Sequence, residues 1–548
     1  MNPMLRCRAA VLAPCFALSL AALPAQADES VHAAHALGSV HFPVSCSGAA
    51  QREFDGAMAL LHHMTYPQAR TAFAALAARE PDCAMAHWGV AMTLFQPLWP
   101  TRPTPADLAR GREEIAAARK AHSDDREKLF IDAGAAFFDD SGSPAYWERI
   151  KRWEAAMAKV HAAYPDDDEA TVFYALSHLA IAPPNEQARA YADRAAALLL
   201  PVYRRNPEHP GAMHYLIHAN DVPGREHELL EVVRKYETIA PHNPHALHMP
   251  THIYTRLGDW PSVINGNLRA AEAALASPAG EHGEYVWDEF AHAIEYLVYA
   301  CLQQGDDAAA QAQWRRLQEQ PRLEPSFKSA FHLSSVPARY ALERGDWKAA
   351  AALPVRTPAS LTWDKFPWPE AVTWFARGVG SARQGDADGA QPAIARLKEL
   401  EAATTASGED LFTRSIRVLR LAVEGWGAQA QGDAASARDL LAQAAALEAA
   451  TPKHAVTPGP TLPAAEQLGD LLLLQQRPAE ALAAYDRALK AYPERFNSLL
   501  GASRAALATG DRERARSMWE HLMAIAKDGP RRREAEAWGR KELVATRD

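Results

Sequence analysis

At six places, 258–259, 305–306, 345–346, 385–386, 432–433 and 510–511, a glycine followed by an aspartate stands between two helical stretches, with gaps of 47, 40, 40, 47 and 78 residues from one such place to the next. Each pair follows one amphipathic stretch and precedes another. Glycine can end a helix in the left-handed conformation, and aspartate can cap the next helix by accepting from its free N–H groups. A chain punctuated in this way is a series of helical hairpins. No single hairpin can bury its apolar face alone, so successive ones stack. The segments between are rich in Ala, Leu, Glu and Arg, and no alternating strand pattern appears. The predicted class is all-α, an α-solenoid.

The clearest unit is "EQLGDLLLLQQRPAEALAAYDRALKAYPERF". With Gly469 at position 8 of a 34-residue unit, Leu472, Ala481, Tyr485, Ala488 and Pro493 fall at positions 11, 20, 24, 27 and 32. "ARTAFAALAAREP" keeps the same spacing through Ala69, Phe73 and Pro81. On these positions the chain resembles the tetratricopeptide repeat family. "FDGAMALLHHMTYPQARTAF", "CAMAHWGVAM", "AMHYLIHAND" and "HMPTHIYTRLGDW" resemble a histidine-rich exported bacterial branch of it. The resemblance implies tetratricopeptide-like hairpins forming a right-handed superhelix, with the first helix of each pair on the concave face. The expected organisation is a leader at 1–27, N-terminal hairpins over 28–100 and a helical region of degenerate repeats over 101–205. Central repeats with a histidine-rich concave face span 206–450, and C-terminal repeats span 451–548.

Residues 1–27 have the order of a cleavable secretion signal: Arg6 and Arg8, then an apolar run, then small residues ending at Ala27. Cleavage near Ala27 would release a periplasmic or secreted protein, and no later segment is apolar enough to span a membrane. Losing Arg6 and Arg8 takes the formal charge from −9 to −11, because the leader holds no acidic residue. Basic residues are scattered, so no nucleic-acid groove is expected. In an oxidising compartment Cys46 and Cys83, both N-terminal, are the expected disulfide pair, and Cys301 is expected to be a buried thiol.

Eleven of the 22 histidines lie between residues 209 and 332. Counted back from each Gly-Asp glycine, His245, His292 and His332 stand thirteen before, in three consecutive units. His248, Glu295 and Ser335 stand ten before, and His252, Tyr299 and Arg339 six before. Offsets of three and seven share one helix face, so stacked helices would carry these stripes side by side. One unit earlier, His214 and His218 are four apart, a common metal-ligand spacing, with Asp221 near. The candidate metal ligands are therefore His214, His218, His248, His252, His292, His332 and Glu295, for copper, iron or zinc. Pro250 either starts a helix, leaving His245 and His248 in a loop, or kinks one. The plain packing explanation stays beside this: a histidine can fill an aromatic core position while bonded to a neighbouring carbonyl.

Tyr299 and Arg339 on the stripe, with Trp363 and Trp368 of "TWDKFPWPEAVTWF", are the candidate ligand-binding residues. Two functions remain open. One is a scaffold holding a protein, peptide or small-molecule ligand in its concave face. The other is a metal-dependent periplasmic enzyme, of oxidoreductase type, built on the histidines. There is no H-E-x-x-H, no C-x-x-C-H and no Gly-rich phosphate loop. Within the histidine-rich region one E-x-x-H runs from Glu289 to His292.

Overall fold

The computed structural model describes residues 36–544 apart from Pro100 and Glu281, so the leader-like segment 1–27 lies outside the described residues. Among the described residues the chain is helical throughout, with no strand. It is an α-solenoid of tetratricopeptide-like hairpins.

The Gly-Asp device works as its chemistry requires. Gly258, Gly305, Gly345, Gly385, Gly432 and Gly510 all adopt positive φ, between 66° and 89°. The aspartate after each accepts from a backbone N–H in the next helix: Asp259 from Ser262, Asp306 from Ala309, Asp346 from Ala349, Asp386 from Gly389, Asp433 from Ser436 and Asp511 from Arg514. The small and large positions of the repeat also pack as expected. Tyr485 lies against Gly469 so closely that a Cβ there would sit 2.8 Å from its ring.

Pro250 divides one helical path without turning it into a loop. Helices Pro244–His248 and Pro250–Leu257 meet at Met249, itself helical at φ −53° and ψ −41°. His245, His248 and His252 therefore stay on successive turns. Pro337 is accommodated inside helix Phe327–Glu343.

The array closes on itself. Arg495, fully buried, bridges Glu466 (2.9 Å) and Glu343 (2.8 Å), joining C-terminal and central hairpins. The Trp260 indole N–H donates to the Glu494 carbonyl at 3.0 Å. The Pro-rich stretch 451–463 enters the interior, where Lys453 pairs with Asp221 at 2.8 Å and Arg339 donates to the Gly459 and Pro460 carbonyls. The 451–463 stretch thus lies against the central hairpins at Asp221 and Arg339.

Cys46 and Cys83 form the expected disulfide, tying the segment before the first hairpin to helix Ala84–Met92. Cys301 is buried and free. No helix among the described residues is long and apolar enough to cross a membrane.

Candidate metal centre

Four helices deliver six imidazoles to one interior region. Helix Pro210–Asn220 carries His214 and His218, and Pro244–His248 carries His245 and His248. His252 is on Pro250–Leu257 and His292 on Asp288–Gln303. They form two groups, His214/His218/His245 and His248/His252/His292, each with one ring nitrogen per residue within 4.8 Å of the others. In the first, the Nε2 of His214 lies 3.2 Å from the Nε2 of both His218 and His245. In the second, the Nε2 atoms of His248 and His252 are 3.0 Å apart. The groups adjoin: the His218–His252 and His245–His248 ring centroids are 6.1 and 6.2 Å apart.

The outer nitrogens decide where the protons sit. His214 Nδ1–H donates to the His62 carbonyl at 2.6 Å. His245 Nδ1–H donates to Glu289 at 3.3 Å, and His252 Nδ1–H to Asp221 at 2.8 Å. His248 Nδ1–H donates to Asn267 Oδ1 at 2.7 Å, while the Asn267 amide donates to the Val263 carbonyl. His292 Nδ1–H donates at 3.1 Å to His332 Nε2, whose own Nδ1–H is held by the Glu295 carboxylate. Each final acceptor is an oxygen that cannot donate, so in five of the six rings the proton is fixed on Nδ1. The five Nε2 lone pairs point inward, and His292 Nε2 is buried with no partner. His218 alone of the six can place its proton on either nitrogen.

A proton shared between facing nitrogens is disfavoured. Burial holds His214, His218, His248 and His292 well below the ordinary imidazole range, with neighbouring imidazoles adding to the effect. Burial also lowers His252, to about 4, against the opposing pull of Asp221.

A third cluster shows what a self-sufficient arrangement looks like. His62 and His209 donate to the two oxygens of Glu169 at 2.9 and 3.1 Å. The other nitrogen of His62 faces the Tyr215 hydroxyl at 3.2 Å, and that of His209 accepts from the Ala212 N–H. Every nitrogen is satisfied, so this cluster has no need of an ion. In the two tri-histidine groups ring nitrogens instead face one another, and His292 Nε2 has no partner.

The expected ligands divide accordingly. His214, His218, His248, His252 and His292 come together. His332 and Glu295 sit one shell out, orienting His292, because the His332 Nε2 is already taken by His292 Nδ1. His245 takes the remaining place. It shared the thirteen-before register with His292 and His332, and the near-continuous helical path through Met249 keeps it on the inner face. Glu289 orients His245 rather than pairing with His292. Asn267 gave no signal beyond being a polar residue on the buried side of helix Trp260–Leu275. Trp99 covers the site from the N-terminal region, with ring centroids 5.7 and 5.8 Å from His245 and His292. Tyr296 places its hydroxyl 3.4 Å from the His252 ring nitrogens.

The four candidate ligand-binding residues lie outside the two groups. Tyr299 is buried with the guanidinium groups of Arg339 and Arg495 over its ring, at 4.8 and 5.8 Å. Arg339 is engaged by Glu295 and by two backbone carbonyls. The Trp363 indole donates to the Pro358 carbonyl. Trp368 packs against Phe331 and Phe412.

No protein-family model matches the chain, and no curated protein matches its sequence. Among solved structures it is similar to the APC/C hetero-tetramer Cut9–Hcn1 (TM-score 0.30, 13% identity, covering 89% of this chain and 90% of that one). It is also similar to human IFIT1 dimers with PPP-AAAA (TM-score 0.38, 13% identity, 86% and 89% covered) and with m7Gppp-AAAA (0.37, 14%, 89% and 92%). The fold described above rests on this chain's own helices, and no function is carried over from these structures.

Proposed function

We propose that the protein binds two transition-metal ions side by side, one in each tri-histidine group. The observation that carries this is the proton inventory: five buried Nε2 lone pairs face inward with Nδ1 already committed. A buried acceptor left unpaired costs about 1–3 kcal/mol; even with the His218 Nε2–H facing His214 and the Tyr296 hydroxyl beside His252, the Nε2 lone pairs of His245, His248 and His292 meet no donor, and a cation satisfies them. Outer-nitrogen bonds to carboxylate, amide and carbonyl oxygens are the usual orienting partners of metal-bound histidine. Three neutral imidazoles per ion suit copper, zinc or iron and leave a coordination position open, as in catalytic rather than structural sites.

The wider reading, a repeat scaffold that holds a ligand, is supported for a small ligand at this centre. A cleft of ≈ 380 Å³ reaches His218 and Asp221 from the surface. An extended peptide along the inner face would have to displace the 451–463 stretch. Membership of an exported, histidine-rich branch is part of the same proposal. It is supported by the leader-like 1–27 segment and by the Cys46–Cys83 disulfide.

Elemental analysis of the full-length protein, purified without chelator or affinity metal, tests the proposal. Two equivalents of one transition metal per chain are expected, falling to one or none in His252→Ala with helical content unchanged. Wild-type protein that stays metal-free after incubation with copper(I), zinc(II) and iron(II) would refute it.

A further inference from the structure

Resting on the two-ion reading, we infer that the paired groups form one copper centre that takes dioxygen between its two ions. The adjoining rings of the two groups lie 6.1 and 6.2 Å apart. His245 and His248, one ligand of each group, are three residues apart on one helical path, a rise of about 4.5 Å. Two ions held this way are neighbours, close enough for one small bridging molecule.

Charge then selects the metal and the bridge. All six inner ligands are neutral. The carboxylates behind them are already balanced. Asp221 is paired with Arg256 and Lys453, each at 2.8 Å. Glu289 and Asp288 share Lys328, at 2.5 and 2.7 Å, and Glu295 is paired with Arg339 at 3.1 Å. These four acidic and four basic groups balance, and Glu324 beside Asp288 adds at most one negative charge. Two divalent ions would therefore place at least three uncompensated charges in a buried pocket, which low-dielectric surroundings strongly disfavour. Two monovalent ions place only two, and among metals suited to imidazole, copper has the stable monovalent state.

Oxidation by dioxygen keeps that sum constant. Each copper(I) gives up one electron and the dioxygen molecule accepts both. Two copper(II) ions and one bridging peroxide dianion then carry the same net charge of plus two. No proton enters or leaves, and release of dioxygen reverses the electron transfer. Oxidation without a bridge would raise the buried charge to plus four. The route in is short: the His218 ring is only partly buried, and the cleft that reaches it is lined in part by Leu98, Leu179 and Ala182, surfaces suited to a small apolar gas.

The test begins with metal-free, full-length protein titrated anaerobically with copper(I) against a chromophoric copper(I) chelator, then exposed to oxygen. The expected result is two copper(I) per chain and uptake of one dioxygen per two coppers. An intense near-ultraviolet band should appear, with no copper(II) paramagnetic resonance signal, because the bridged ions couple. Two bound coppers that oxidise to two full, independent copper(II) signals, or that stay reduced in air, overturn the inference and leave the two-ion reading standing. Failure to bind copper, zinc or iron at all overturns both. His292→Ala, shown to be folded by circular dichroism, should lose the band and show a signal from a lone copper(II). Retention of the band in that variant would also overturn the inference. If His292→Ala does not fold, His218→Ala, which removes the less buried ligand of the other group, carries the same expectation.

Discussion

Asn267 touches no ion in the proposed centre, yet its replacement separates a metal site from a packed core. Its Oδ1 accepts the His248 Nδ1–H at 2.7 Å and so keeps the His248 Nε2 bare. In Asn267→Leu the acceptor is gone. Leaving that N–H unpaired would cost about 1–3 kcal/mol. The ring has an alternative: it moves its proton to Nε2 and donates to the His252 Nε2, 3.0 Å away, a bond worth about 0.5–1.5 kcal/mol. The metal-free protein should therefore change stability by no more than about 1 kcal/mol. Metal affinity should suffer much more, because the ligating lone pair is now protonated. Loss of such an orienting partner weakens binding 10–100-fold, about 1.4–2.7 kcal/mol. Copper(I) titrated anaerobically against a chromophoric copper(I) chelator should show one of two binding steps weakened by that factor and the other unmoved. Urea unfolding of the metal-free variant gives the second number. Unchanged affinity, combined with a stability loss of about 3 kcal/mol or more, would mean that Asn267 only packs the core and that the reasoning from protons is wrong.

Arg495→Met strands the buried carboxylates of Glu343 and Glu466. It should lower stability by about 3–5 kcal/mol in denaturant unfolding, and loss within 1 kcal/mol would contradict the closure of the array through this residue. Replacing Cys46 and Cys83 by serine should cost about 2–4 kcal/mol, and the wild type should lose a similar amount under reductant while the double variant does not respond. Burial pushes the Glu448 carboxyl up to about 8, above its ordinary 4.5. The folded state thus holds that proton more tightly than the unfolded chain does. This stabilising contribution is fully present below about pH 4.5 and is lost as pH rises through 8. Glu448→Gln should flatten the fall in melting temperature over that window, and an unchanged slope would remove Glu448 as its cause.

Much of the architecture was legible because it is local. A left-handed glycine and a capping aspartate need only neighbours in sequence, so the hairpins at 258, 305, 345, 385, 432 and 510 could be read directly. The shared register of the histidines was legible for the same reason. What each ring does was not, because that depends on which helix faces it. His332 stands at the same register as His245 and His292, yet its Nε2 meets the outer nitrogen of His292 and becomes a support. His245 joins the inner group because the helical path continues through Met249 and keeps its ring on the same face as His248. The entry of 451–463 into the interior pairs Lys453 with Asp221, 232 positions away in the chain. No periodicity announces that contact. It is also why Tyr299 and Arg339, on the predicted stripe, are consumed by internal packing instead of facing a ligand.

Anomalous diffraction from crystals of the metal-loaded, full-length protein locates the two ions proposed for the paired tri-histidine groups. Two peaks are predicted. One should be bonded by Nε2 of His214, His218 and His245, the other by Nε2 of His248, His252 and His292, each at about 2.0–2.1 Å, with His332 and Glu295 outside bonding distance. No peak among these six rings, or a single peak at His62, Glu169 and His209, would rule out the two-ion centre.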